Sequence, residues 1–187
     1  NDPCKNWSVI VVDDSSIDKT KSIVLDVVNK EKNISASFEL VNAGNRPKDR
    51  LWVGKNWACT RAMERVKSQW VLFIDADVIL SKDAIQRALK QAINEKASLL
   101  SLAPRISCSC LSEWMIQPIM ATLIGLGFPI EDINDPSNQR SFAAGPFMLF
   151  KKVSPKGLFI IEELDFPDTR KDMNLKNEYP SLKQILI

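Results

Sequence analysis

Two acidic clusters follow two apolar segments that are rich in β-branched and aromatic residues. Asp13 and Asp14 come directly after the segment WSVIVV, and Asp75 and Asp77 follow the segment QWVLFI as Asp-Ala-Asp. Carboxylate oxygens suit Mg²⁺ or Mn²⁺, which keep several water ligands and also accept phosphate oxygens. The Asp75/Asp77 pair therefore predicts a divalent-cation site that can hold a diphosphate, although aspartates also end strands and cap helices without any further role.

Asp13 and Asp14 predict a different contact. A carboxylate at the end of a strand can accept a hydrogen bond from a base N–H or a ribose hydroxyl, as acidic residues do in dinucleotide-binding folds. Lys55 follows Gly54 immediately before a predicted helix and offers a positive charge for a phosphate, but it lacks the glycine-rich pattern of a Walker phosphate loop. A polar turn and an ordinary helix start would look the same, so each signal is weak by itself.

The composition narrows the chemistry that these residues can perform. The chain has 187 residues and no histidine, which excludes Ser-His-Asp and Cys-His hydrolases, histidine-ligated zinc and haem with a proximal histidine. Its 25 basic and 23 acidic residues give a formal charge of +2, so no nucleic-acid partner is expected. Any acid–base or metal chemistry must therefore use carboxylates.

The cysteines and the first residues bear on the cellular compartment. The four cysteines form no Cys-x-x-Cys pair, and the spacing of Cys108 and Cys110 suits neither an unstrained disulfide nor a zinc knuckle. We therefore expect reduced thiols in a cytoplasmic protein. The chain opens on Asn1 and shows no basic region followed by an apolar one, so no signal peptide is visible and a processed or truncated start is expected.

Strands that alternate with helices must position these groups. The apolar runs predict strands over residues 7–12, 38–41, 69–74, 97–103 and 144–150. Helical spacing predicts a helix that begins after Ser16 or Asp18, a second over 56–66 and a third over 82–94 with Ser81 as its cap. The predicted inner face of the first helix consists of Ile23, Val24, Val27 and Val28, and that of the third consists of Ile85, Ala88, Leu89 and Ala92.

This order of elements predicts an α/β fold with a mostly parallel sheet and helices on both faces. Ligands of such folds bind beyond the carboxyl ends of the strands, where both acidic clusters lie. We expect the sheet domain to cover residues 1–152 and a divergent or irregular tail to cover 153–187, where the periodicity is lost.

Residues 111–130 are largely apolar and allow two interpretations. Glu113, Gln117 and Pro118 interrupt the segment and leave an apolar run of about a dozen residues, which is too short to span a bilayer. The first interpretation is a buried helix. The second is an interfacial helix, or one that lines a groove for a lipid acceptor, because side chains such as Trp114 are large and the flanking residues are polar.

Four motifs, in the right order, resemble family-2 glycosyltransferases. The segment VIVVDDSSIDKT is similar to the family's VDDxSxDxT segment, WVGKNWACTRAME to its GK-x-x-A helix start and LFIDADV to its metal-binding D-x-D strand. The segment NDPSNQRSFAAGPFMLFKK resembles one in the branch that includes hopene-associated and cyanobacterial membrane-linked glycosyltransferases. The resemblance covers residues 7–152 and implies a GT-A-like, Rossmann-like fold.

The resemblance also implies a reaction and a donor site. The reaction is transfer of a sugar from a UDP- or GDP-sugar to an acceptor hydroxyl, with inversion at the anomeric carbon. Asp13 and Asp14 would contact the base or the ribose, with Lys55 nearby. Asp75 would face the ribose or the metal, and Asp77 would ligate Mn²⁺ or Mg²⁺.

The acceptor side is implied less fully. Ala144 and Gly145 would line the sugar-acceptor region, where small residues let a substrate approach the backbone. The base that deprotonates the acceptor would be Glu162 or Glu163, although neither stands in the family's usual context. From the apolar segment 111–130 we expect a lipid acceptor and a peripheral position at the cytoplasmic face of a membrane.

Two other interpretations compete with an active transferase. The first strand of the family and its usual acidic pair are missing, which predicts a catalytically incomplete glycosyltransferase fragment or remnant. The second interpretation is a receiver-like, Mg²⁺-binding signalling domain, because such domains also carry a double aspartate after their first strand. The separation of Asp14 from Asp75 is long for that compact fold.

Overall fold

The computed structural model describes residues 7–30, 37–47, 54–138, 142–152 and 184–186. These residues form two compact units, of which the first holds the described residues up to Ser68 and the second those from Gln69 onwards. Strands and helices occur together in both units, which confirms the predicted α/β class.

The first unit contains β1 (Ser8–Asp13), α1 (Thr20–Lys30), β2 (Ser37–Asn42) and α2 (Gly54–Met63). β1 and β2 pair in parallel, and the register places Asp13 opposite Asn42 at their carboxyl ends. α2 packs against β1. The pairing of β1 with β2 therefore ends at Asp13, the first aspartate of the double-aspartate cluster.

α1 uses only part of its predicted apolar face. The Asp18 carboxylate accepts a hydrogen bond from the Thr20 N–H at 2.9 Å, so Asp18 rather than Ser16 provides the side-chain contact at the helix start. Hydrogen bonds from the Thr20 side chain and backbone lower the pKa of Asp18. Of the predicted inward residues Val24 and Val28 are half-buried, whereas Ile23 and Val27 are exposed.

The second unit contains β3 (Trp70–Ile74), α3 (Ala84–Asn94), β4 (Leu99–Ser101), α4 (Leu111–Gly127), α5 (Ile130–Asn134), β5 (Phe147–Lys151) and β6 (Gln184–Leu186). Its strand order is β3-β5-β4-β6. β4 and β6 are parallel, but β5 runs antiparallel to both β3 and β4. The sheet of this unit is therefore mixed, because strand direction depends on the path of the long connection before β5 rather than on the apolar pattern of the strand.

The core of the second unit includes α3 and the sheet, together with the fully buried Ile133 of α5, which packs near β6. Ala88, Leu89 and Ala92 are buried on the predicted inner face of α3, which packs against β4. The predicted cap is wrong, because α3 begins after Asp83 and has no side-chain cap. Leu100 of β4 is fully buried.

α4 contradicts the buried-helix interpretation of residues 111–130. None of its residues is buried, and Leu111, Trp114 and Leu126 are more than two-thirds exposed. Within the described ranges, no helix combines the length and the apolar character needed to cross a membrane.

Candidate functional site

In the first unit the acidic cluster begins a tight turn. Asp13 is buried, and its Oδ1 accepts a hydrogen bond from the Ser16 N–H at 3.1 Å. Its backbone carbonyl accepts from the Ala43 N–H at 2.9 Å. Ser15 has a φ of 62°, a left-handed conformation that non-glycine residues adopt at a cost. The Asp13 carboxylate therefore stabilises a strained turn, which leaves Asp14 as the more accessible aspartate of the cluster.

Asp14 pairs with an arginine that the sequence analysis missed. Arg46 Nη2 lies 2.6 Å from Asp14 Oδ2, and both side chains are partly exposed. The loop after β2 brings Arg46 there through Gly44, whose φ of +71° favours glycine and whose N–H donates to Asn42 Oδ1 at 2.8 Å. The only sequence signal for this turn is the composition of residues 42–54, which are rich in Asn, Gly and Pro and therefore indicate a loop.

The start of α2 is joined to the same loop. Trp57 Nε1 donates to the carbonyl oxygens of Ala43 and Gly44, at 3.0 and 3.2 Å. The Arg61 guanidinium carbon lies 5.7 Å from the centre of the Trp57 ring. Lys55 is exposed and lies two residues before Trp57. The first unit therefore brings the double aspartate, Arg46 and the start of α2 to one end of its two strands.

We predict that Trp57→Phe lowers the free energy of unfolding by about 1 kcal/mol, because the ring is kept but its hydrogen bonds to the loop are lost. Denaturant titration measures the change. Trp114→Phe is the matched control, since Trp114 is 69% exposed on α4. Equal changes in the two variants would contradict the role of the Trp57 N–H.

The Asp-Ala-Asp turn lies at the end of β3 in the second unit. The Asp75 N–H donates to the Pro146 carbonyl at 3.3 Å, and the Val78 N–H donates to the Asp75 carbonyl at 3.2 Å. Asp75 is half-buried and Asp77 is exposed. Because β5 runs antiparallel to β3, its first residue, Phe147, lies opposite Ile74. The segment before β5, which includes Ala144 and Gly145, therefore lies next to the carboxyl end of β3.

A buried serine holds that segment. Ser101 is the last residue of β4 and is fully buried. Its Oγ accepts a hydrogen bond from the Ala144 N–H at 2.7 Å and donates one to the Ala144 carbonyl at 3.1 Å. The sequence analysis missed Ser101, for which the only signal was a polar residue inside an apolar strand.

The chemistry of the donor set fits a hard divalent cation. In the part of the chain that the structure describes, no three or more His, Cys, Asp or Glu residues cluster as a closed metal site. Mg²⁺ and Mn²⁺ do not need such a cage, because one or two carboxylates, water and substrate phosphates complete their coordination. Asp75 and Asp77, two residues apart in an open turn, meet this requirement. Glu162 and Glu163 lie outside the described residues.

Comparison with known proteins identifies the family. A curated relative, the 4,4'-diaponeurosporenoate glycosyltransferase of Staphylococcus haemolyticus (strain JCSC1435), is 32% identical over 97 residues. The aligned region is 51% of this chain but only 24% of the relative, so the chain spans about a quarter of that protein. The family "Glycosyl transferase family 2" matches residues 1–157 of this chain. This match favours a glycosyltransferase domain over a receiver-like domain, and the chain belongs to glycosyl transferase family 2.

Proposed function

We propose that this protein transfers a sugar from a nucleotide-diphosphate sugar to an acceptor hydroxyl, with inversion and with Mn²⁺ or Mg²⁺ bound by Asp75 and Asp77. The family supplies the reaction class. The observation that carries the proposal is the hydrogen bond between the Asp75 N–H and the Pro146 carbonyl, which joins the acidic turn to the segment of Ala144 and Gly145. A metal-binding turn and a small-residue surface for a sugar then lie side by side.

Each residue of the second unit has a defined task in this proposal. The hydrogen bond of the Asp75 N–H anchors the backbone from which its half-buried carboxylate extends, and the exposed Asp77 completes the carboxylate pair. A bound divalent cation would hold the diphosphate and neutralise the charge that it gains as the leaving group. Ala144 and Gly145 have no bulky side chain, so a sugar ring can approach their backbone.

The first unit is assigned to the nucleoside. Asp13 supports the turn, and Asp14 is the carboxylate that accepts from the base or the ribose. Arg46 adds positive charge beside it, and Lys55 adds a second positive charge at the start of α2, for the donor's phosphates. The Arg46–Asp14 ion pair would keep Asp14 in place before the UDP or GDP moiety arrives.

An inverting transfer also needs a base that takes the proton of the acceptor hydroxyl. Glu162 and Glu163 remain our candidates for it, from the sequence alone. The acceptor is proposed to be a lipid, met at the cytoplasmic face of a membrane to which the protein binds peripherally. Two observations support this: the relative is named for 4,4'-diaponeurosporenoate, and α4 exposes large apolar side chains.

Calorimetric titration with UDP- and GDP-sugars, with and without Mn²⁺, tests the proposal. We expect one nucleotide series to bind in the presence of Mn²⁺ and to lose its binding heat when EDTA removes the metal. Equally tight binding without metal would contradict the role of Asp75 and Asp77. The absence of binding under both conditions would favour a catalytically incomplete chain.

A further inference from the structure

We propose that α4 lies within one leaflet of a lipid bilayer and holds the second unit at the membrane surface. The inference rests on the proposed function, because it names the element by which the transferase reaches a lipid acceptor. The partner of α4 is the acyl-chain region of a neutral bilayer.

α4 lacks the buried apolar face of a helix that packs on a protein core. None of its residues is buried, and all its large apolar side chains are exposed, with Leu111, Trp114 and Leu126 at 77%, 69% and 73%. A helix on the surface of a water-soluble domain turns its apolar face inward and its polar face outward. Because α4 instead turns its large apolar side chains outward, the medium outside it is expected to be apolar.

The angular spread of the exposed apolar side chains distinguishes lipid from a protein partner. At about 100° per residue, the large apolar side chains from Trp114 through Leu111 to Ile124 cover about 280° of the helix circumference. The remaining arc of about 80° contains Gln117, whereas Glu113 lies near the end of the apolar arc, between Met120 and Ile124. A second copy of the chain would cover one stripe of about 100° and leave the rest in water. Acyl chains are fluid and cover the whole exposed arc.

The length and charge of α4 set its position in the bilayer. Its 17 residues extend about 25 Å, less than the roughly 30 Å of the hydrocarbon layer. Residues 114–130 contain no charged side chain, so insertion of this segment into the hydrocarbon layer would bury no charge. The Thr122 hydroxyl donates to the Pro118 carbonyl at 2.8 Å, which satisfies it within the helix. One leaflet contributes about 15 Å of hydrocarbon, so a helix of this length fits within one leaflet only when it lies close to parallel to the membrane plane.

Glu113 belongs to a hydrogen-bonded polar group at the start of the helix, which we expect to lie among the lipid headgroups. Its Oε2 accepts hydrogen bonds from the Ser109 N–H at 2.7 Å and the Ser109 hydroxyl at 3.0 Å. No lysine or arginine occurs between residues 106 and 130. Attraction to anionic lipids therefore contributes little, and apolar insertion must supply the binding energy.

Co-sedimentation of the full chain with phosphatidylcholine vesicles tests the inference, without metal or nucleotide. We expect binding to neutral vesicles that is insensitive to salt and gains little from added phosphatidylserine. Leu123→Glu is expected to weaken vesicle binding about tenfold or more, since a buried leucine contributes about 1.5–3 kcal/mol. Ile17→Glu, at a fully exposed isoleucine of the first unit, is the matched control and should bind as the unsubstituted chain does.

Both substituted side chains are exposed, so the two variants should keep the fold, and circular dichroism checks this. The inference is overturned if Leu123→Glu binds vesicles as well as Ile17→Glu does, or if binding requires anionic lipid. It is also overturned if light scattering shows a dimer that Leu123→Glu dissociates while vesicles capture neither protein.

The same proteins separate this inference from the proposed function. Leu123→Glu should still bind nucleotide-sugar with Mn²⁺, because α4 contributes no residue to that site. A chain that binds neutral vesicles but no nucleotide would refute the transferase proposal and leave the membrane role of α4 supported. A chain that binds nucleotide with Mn²⁺ but no vesicles would do the opposite.

Discussion

Asp77→Ala is expected to abolish Mn²⁺-dependent binding of the nucleotide-sugar while leaving the fold intact. Asp77 is exposed, so its removal breaks no packing in the described part of the second unit. Its carboxylate is one of only two proposed protein ligands to the metal, and Asp75 alone would hold the ion weakly. Loss of an outer-shell partner already costs metal affinity about 10- to 100-fold, and loss of a ligand should cost more.

Isothermal titration with Mn²⁺ and the donor measures this effect. Asp77→Asn keeps the shape of the side chain and removes its charge, so it should weaken binding less than alanine does. Asp26→Ala, at an exposed aspartate of α1, controls for the change in net charge and should bind normally. The metal assignment fails if Asp77→Ala and Asp26→Ala bind the donor equally well and with the same Mn²⁺ dependence.

Ser101→Ala is expected to reduce both stability and the transfer rate. The Ser101 hydroxyl pairs the N–H and the carbonyl of Ala144, so alanine leaves both of these backbone groups without their partner. Unmade hydrogen bonds at a part-buried site should lower the free energy of unfolding by about 1–3 kcal/mol. The segment from Ala144 to Pro146 should then shift, and with it the turn that holds the Asp75 N–H.

A displacement of about 1 Å in a positioning group can cost about 100-fold in rate. For Ser101→Ala we therefore expect the rate of sugar transfer to fall about 10- to 100-fold at saturating donor. Ser98→Ala is the control, because Ser98 precedes the same strand and its backbone carbonyl keeps the hydrogen bond from the Lys151 N–H. A positioning role predicts that kcat falls more than donor binding does. Equal kinetics in the two serine variants would refute it.

The strand ends illustrate what periodicity can predict. The apolar runs before Asp13 and Asp75 correctly located β1 and β3, because burial of a strand is encoded in adjacent residues. The inner face of α3 was predicted for the same reason, as helical spacing repeats locally. The direction of β5 was not, since antiparallel pairing with β3 depends on where a connection of many residues brings the chain back.

The two residues that the sequence analysis missed share one physical cause. Arg46 bonds to Asp14 across 32 residues, and Ser101 bonds to Ala144 across 43 residues. No local pattern encodes partners at such separations, because only chain folding brings them within hydrogen-bond distance. Each residue therefore looked like an ordinary loop arginine or strand serine.

By itself the sequence determined the α/β class and the acidic strand ends, because these follow from residue type and short-range spacing. The tertiary structure alone decided that Asp13 supports a turn beside the more accessible Asp14 and that the acidic turn adjoins the segment of Ala144. It also ruled out the buried-helix interpretation of residues 111–130, because no residue of α4 is buried. Burial depends on which elements pack together, and an apolar helix carries the same sequence signal whether protein or lipid surrounds it.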